Sequence, residues 1–266
     1  MVDLEAYFER VGYAGDGRAT LETLRTLHRL HPAAIPFETL DVWLGRPIRL
    51  DAEAVDAKLI HGRRGGYCFE QNSLFLRVLT ALGFEAEPLI ARSRWNRPAD
   101  LIQARTHMAL RVRIDDAWWL ADVGFGGCML TAPLRLDDRG RQETAFEPRR
   151  LIPHGDDLRL EMLIGDDWLP ICDLVPTPQA LADMECANWF ISTHPSSVFH
   201  KHIVVARTLI EARYVLTDNR LAVRRAGRPP EVRLLGAGAL ERSLVEDFGL
   251  RPDPGWGPMI EALASA

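Results

Sequence analysis

A chain of 266 residues, 47% hydrophobic and 26% charged, has room for one large domain or two to three small ones with an ample core, and its composition is that of a soluble globular protein. A net charge of −5 argues against a nucleic-acid binder, which carries a basic face. No apolar run approaches the ~18 residues of a membrane span, and "MVDLEAYFER" opens acidic and amphipathic, unlike a basic leader before an apolar stretch, so the expected location is the cytoplasm.

Helical signals dominate the first part of the chain. A helix is expected over residues 3–11, and Thr20 can cap a second, whose Leu21, Leu24, Leu27 and Leu30 form a stripe that Pro32 should end. A third is expected over residues 52–60. After Gly65-Gly66, "CFEQNSLFLRVLTALGF" sets Leu74, Phe75, Val78, Leu79 and Leu82 on one face and stops at Gly83, so Cys68 falls at or near the first turn of a core-facing helix.

Beyond Gly83 the period becomes two. "HMALRVRI" places Met108, Leu110, Val112 and Ile114 on one face and His107, Ala109, Arg111 and Arg113 on the other; Asp115-Asp116 turns, and "WWLADV" returns. Short strands are expected through Ile171, broken by Pro133, Pro148, Pro153 and the Gly155-Asp156 and Gly165-Asp166 turns, a spacing that suits a small barrel or sandwich. "TPQALADMECANWFIS" reads as a helix, "IVVARTLI", "RYVLT" and "LAVRRA" as strands, residues 239–248 as a last helix, and the remainder as a Pro/Gly-rich tail. The outline is α+β: helical, then β, then mixed, with divisions expected at 1–84, 85–186 and 187–266.

The hairpin carries a testable register. With Asp115-Asp116 as a two-residue loop, Ile114 faces Ala117 and Ala109 faces Asp122, which puts His107 diagonal to Asp122 on the same side of the sheet. A slip of one residue would send Asp122 to the other face. In that register Asp122 can hold one imidazole nitrogen of His107 and leave the other to take a proton from a thiol, while a helix N-terminus favours negative charge at Cys68. Cysteine, histidine and aspartate in this order can form a nucleophilic triad, with Gly65-Gly66 leaving room for an acyl group. Spacing alone leaves the bland readings open: a packing cysteine, a solvated histidine, a strand-end aspartate. The four cysteines, Cys68, Cys128, Cys172 and Cys186, form no C-x-x-C pair, which argues against a disulfide framework and against a zinc cluster, and no metal is expected.

"RRGGYCFEQN", "RTHMAL" and "LADVGFGG", in this order, resemble signature segments of the arylamine N-acetyltransferases, with supporting matches in "HRLHPAAIPFETLDV" and "NWFISTHPSSVFHKH". The resemblance implies a helical bundle, an antiparallel β-barrel and an α/β lid around a core like that of cysteine proteases and transglutaminases. It implies Cys68 as acyl-accepting nucleophile, His107 as base, Asp122 as its orienting partner, and Glu38 with Arg64 as support for the active-site region. It further implies acetyl-CoA as co-substrate with no permanently bound cofactor, Gly124, Gly126 and Gly127 near the CoA pyrophosphate, and Phe37, Phe125 and Phe199 lining a pocket for an aromatic amine or hydrazine. After "GFG", where some animal members carry a basic and then an aromatic residue, this chain has Gly127-Cys128-Met129, a pattern that looks bacterial. The implied reaction is ping-pong acetyl transfer through acetyl-Cys68. The alternatives are an amide synthase of a biosynthetic pathway using the same triad, a hydrolase or transglutaminase-like enzyme, and a non-catalytic binding protein. Cys128, Cys172 and Cys186 are expected to be structural, and the sequence leaves the physiological acceptor, acyl-chain preference and oligomeric state open.

Overall fold

The computed structural model describes residues 2–265. Helix α1 (Leu4–Val11) is capped by Asp3, whose carboxylate accepts the Ala6 amide at 3.0 Å, and α2 (Leu21–Ala34) by Thr20 on the Thr23 amide at 3.2 Å. Pro32 does not end α2 but lies inside its last turn. The terminator is Ile35, held extended at φ −113° and ψ 98° by the clash that Pro36 imposes on the residue before it.

Next come the two-residue strand β1 (Phe37–Glu38), the short α3 (Leu40–Trp43), and α4 (Ala52–Asp56), which continues as one wider turn over Ala57–His61. The sequence reading saw neither β1 nor α3. Helix α5 (Cys68–Ala81) buries Leu74, Phe75, Val78 and Leu79 as its periodicity requires.

Strands β2 (Glu85–Ser93), β3 (His107–Ile114), β4 (Ala117–Ala121), β5 (Leu134–Arg135), β6 (Arg149–His154), β7 (Asp157–Ile164) and β8 (Asp167–Leu174) form an antiparallel sheet in the order β5-β4-β3-β2-β8-β7-β6. Gln142 nearly closes it into a barrel: its backbone pairs with Arg149 of β6, and its side-chain amide exchanges hydrogen bonds of 2.8 and 3.0 Å with the Arg135 backbone of β5. Pro153, expected to break a strand, sits inside β6, where an edge strand tolerates the missing donor. The β3–β4 register is Ile114↔Ala117 through Leu110↔Ala121, as the hairpin arithmetic requires.

Helix α6 (Leu181–Thr193) crosses the expected division at 186/187; a continuous helix is no place for a boundary, which belongs in an exposed linker. A second antiparallel sheet, in the order β1-β9-β10-β11-β12, joins β9 (Val204–Thr208), β10 (Arg213–Thr217), β11 (Arg220–Arg224) and β12 (Glu231–Leu234) to β1 through Phe37↔Ala206 and Glu38↔Val205. Helix α7 (Ala237–Glu246) covers it, and the supposed tail forms α8 (Trp256–Ala264), which buries Trp256, Met259, Ile260 and Leu263 against the same core. Those four recur at helical spacing, a signal that the nearby prolines and glycines obscured. The fold class is α+β.

Among the described residues three apolar cores result: one between the helices and the outer face of β2–β4, one inside the barrel, and one under the second sheet. Strand β3 divides the first two, with Met108, Leu110, Val112 and Ile114 in the helical core and Ala109 in the barrel. His107 lies at that seam and is 5% exposed, so the face expected to be solvated is buried at this end of the strand.

Candidate active site

Cys68 is the first residue of α5. The approach to it is fixed by glycines for which the structure gives a different reason from the expected clearance: a Cβ on Gly65 would lie 2.1 Å from the Pro36 carbonyl oxygen, and one on Gly66 would lie 2.7 Å from Oε2 of Glu70. These glycines let β1 and Glu70 close against the loop, and neither lines the cavity described below. Glu70 accepts the Tyr67 amide at 3.0 Å, tying off the helix start. Cys68 is buried, and its Sγ lies 3.7 Å from the Thr106 carbonyl oxygen, the last backbone before β3.

His107 Nε2 lies 2.7 Å from Oδ2 of Asp122, and its other nitrogen remains for the Cys68 side. Burial alone would lower the imidazole's pKa from 6.5, but the Asp122 carboxylate, with its hydrogen bond and the Cys68 sulfur, lifts it to about 10. The Asp122 carboxyl is correspondingly held below its ordinary range: burial works against the charge, and His107, Asn72 and the Gly124 amide outweigh it.

Asp122 lies one residue past the end of β4, where three successive amides have left the ladder. His28 Nε2 accepts the Asp122 amide at 3.1 Å, Asn72 Oδ1 the Val123 amide at 3.1 Å, and Oδ1 of Asp122 itself the Gly124 amide at 2.9 Å. Asn72 Nδ2 donates to the Met108 carbonyl at 2.8 Å and to Asp122 at 3.0 Å, so a single amide from α5 joins β3, the carboxylate and the strand exit. One turn from His28, His31 Nε2 donates to Oε1 of Gln71 at 2.6 Å, and the Gln71 amide nitrogen serves the Pro36 and Gly66 carbonyls at 2.8 and 3.1 Å.

Cys68 and His107 open into a cavity of about 440 Å³ that Phe37, Phe125 and Phe199 also line. The Phe125 ring packs edge-on to His107 at 4.5 Å between centroids, and Phe199 lies between Phe37 at 6.3 Å and Tyr67 at 6.0 Å. Gly124, Gly126 and Gly127 face the same cavity, although packing also requires the first, backbone conformation favours glycine at the second, and the third is only tightly packed. A Cβ at 124 would come within 2.7 Å of Cys68 Cα, Gly126 has φ +64°, and a Cβ at 127 would lie 3.3 Å from Val215. Among the described residues no group of three or more His, Cys, Asp or Glu is placed to hold a metal ion.

Just before α5, Arg64 pairs with Glu38 at 2.7 Å. The pair belongs to a larger network: Arg64 also reaches Asp41 at 3.1 Å and Asp253 at 3.4 Å, Lys58 bridges Asp41 at 2.8 Å and Glu70 at 2.7 Å, and Arg46 holds Asp253 at 2.6 Å. The Arg64 guanidinium is held well above its ordinary pKa: burial opposes the charge, and Glu38 and Asp41 overcome it. The network ties the segment before α8 to the start of α5.

A family described as N-acetyltransferase matches residues 20–254. The chain is 42% identical over 253 residues to an arylamine N-acetyltransferase of Mycolicibacterium smegmatis, a match covering 94% of this chain and 92% of that one.

The chain belongs to the arylamine N-acetyltransferase family.

A Salmonella typhimurium relative, named arylamine N-acetyltransferase / N-hydroxyarylamine O-acetyltransferase, is 39% identical over 93% of this chain and 88% of its own. A solved structure of the Mycobacterium marinum arylamine N-acetyltransferase in complex with CoA superposes with a TM-score of 0.94 at 37% identity, covering 98% of this chain and 99% of that one.

Within this N-acetyltransferase scaffold, sequence reasoning missed His28, Asn72, Gln71 and the Lys58–Asp41–Asp253 part of the network. Asn72 had a signal, lying one helical turn after Cys68 on a buried face. His28 and His31 stand in the matched segment "HRLHPAAIPFETLDV", but nothing local pointed to their partners, which are 94 and 40 residues away. Cys128 and Cys172 are buried, as expected of structural cysteines, but Cys186 is exposed on α6, so nothing in its surroundings makes it a packing residue.

Proposed function

We propose that this protein moves an acetyl group from acetyl-CoA to an arylamine, arylhydrazine or arylhydroxylamine by a ping-pong route through acetyl-Cys68. The single observation that carries the reading is the 2.7 Å His107–Asp122 contact, set beside a buried cysteine at a helix N-terminus in an aromatic-lined cavity. Membership of the family and likeness to a CoA-bound relative support the donor.

At rest the thiol proton has passed to His107, and Asp122 fixes the ring and offsets its charge. The Cys68 thiolate attacks the thioester carbonyl, and amides of the first turn of α5, which no helical carbonyl satisfies, steady the oxyanion. The tetrahedral adduct collapses, the CoA thiolate leaves, and His107 returns the proton to it. The amine then attacks acetyl-Cys68, its proton passes to His107, and the amide departs as the Cys68 thiolate re-forms. Phe37, Phe125 and Phe199 hold the acceptor ring, and Gly124, Gly126 and Gly127 leave backbone bare for the CoA pyrophosphate.

Incubation with acetyl-CoA alone, followed by intact-mass and peptide analysis, should give one acetyl group on Cys68 that a later addition of an aromatic amine removes as the amide. A protein that stays unlabelled with acetyl-CoA yet accepts acyl groups from a carrier-bound chain would instead be the amide synthase.

A further inference from the structure

We propose that His28 is a positioning residue for the reaction centre, acting through Asp122; the inference rests on the triad roles just proposed. The β3–β4 ladder ends at Leu110↔Ala121, so the Asp122 amide has no strand carbonyl to bond. His28 Nε2 takes the place of that carbonyl, accepting the amide at 3.1 Å. Because Nε2 accepts, the ring is neutral and its proton is on Nδ1, which is buried and has no hydrogen-bond partner among the described residues.

A side chain kept only to fill space would not carry this arrangement. Leucine or phenylalanine would pack against Phe75, whose ring meets His28 edge-on at 6.2 Å, without stranding a buried N–H. The orphaned Nδ1 is the cost of having an acceptor at Nε2, and that acceptor fixes the backbone from which the Asp122 carboxylate reaches His107. The adjacent Val123 amide is already taken by Asn72, and Gly124 by Asp122 itself, so neither can substitute. His28 therefore sets where the carboxylate begins, and Asn72 sets where it ends.

Two substitutions of similar size separate positioning from packing. In His28→Gln the amide oxygen reaches the place of Nε2, whereas in His28→Asn it falls short. Two readouts are taken on folded protein of matched melting temperature: the single-turnover rate of Cys68 acetylation by acetyl-CoA, and the pH profile of Cys68 alkylation by iodoacetamide. His28→Gln should stay within about threefold of the wild type, while His28→Asn slows by about tenfold or more, the range for unpairing a buried donor. In His28→Asn the alkylation profile should also move to higher pH, because a displaced Asp122 supports the His107 imidazolium less well. Equal behaviour of the two variants, whether both like the wild type or both slowed alike, would overturn the proposal. A wild type that takes no acetyl group would sink the transferase reading instead, and the alkylation profiles would then decide the positioning role alone.

Discussion

Lowering the pH from 7 to 5 should cost this protein stability through two histidines that the fold holds neutral. His28 and His31 are fully buried; burial lowers their pKa values to about 4 and about 3, against an ordinary value of 6.5. Asp122 partly offsets the burial at His28, as Gln71 does at His31, while Arg10 and His28 push His31 further down. The folded pKa is depressed, so between 6.5 and the folded value the unfolded chain binds the proton and the native state does not, and stability falls as pH falls. At pH 5 each unfolded histidine lies 1.5 units below its 6.5, worth about 2 kcal/mol, or about 4 kcal/mol for the pair, against the 5–15 kcal/mol of a typical domain. His107, raised to about 10, has the opposite sign: its stabilisation is complete only below the unfolded 6.5, so acidification from pH 7 to 5 returns about 1 kcal/mol, in both proteins alike. Urea unfolding followed by tryptophan fluorescence at the two pH values, on the wild type and on His28→Gln/His31→Gln, isolates the pair because every other group titrates in both proteins. The wild type should lose about 4 kcal/mol more than the double variant. Equal losses would refute the reasoning.

Two further outcomes follow from packing and charge. Gly124→Ala puts a Cβ within 2.7 Å of Cys68 Cα and 2.8 Å of Asn72 Nδ2, so it should force α5 from the strand exit, cost about 1–3 kcal/mol in urea unfolding and slow Cys68 acetylation; an unchanged acetylation rate would show that this contact does not position the nucleophile. Arg64→Ala leaves Glu38, whose side chain is 0% exposed, without its guanidinium and should destabilise by about 3–5 kcal/mol, whereas Asp253→Asn keeps a hydrogen-bonding oxygen at the network's rim, where its partner Arg46 is 40% exposed, and should cost less. Similar losses for the two would mean that the network does not act as a graded, buried pair.

Much of the site was legible because local rules reach it. Two-residue hairpin geometry fixes which residues oppose one another, so His107 and Asp122 could be paired from spacing, and the period-3.6 stripe after Gly66 put Cys68 at a helix start. The glycines were legible as places but not as reasons. Only the structure reveals that Gly65 and Gly66 admit Pro36 and Glu70, because the partner of a missing Cβ is a neighbour in space.

Sequence by itself determined most of the periodic elements, the cap at Thr20, the register of β3 on β4 and the order of cysteine, histidine and aspartate, all set by interactions within a few residues or across one tight turn. Tertiary structure alone decided that β1 joins the second sheet, that Gln142 nearly closes the barrel, and that His28 bonds the Asp122 amide from 94 residues away. The physical reason is that a buried amide or charge must find a partner wherever the folded chain brings one, and chain distance does not constrain that search once the core has formed.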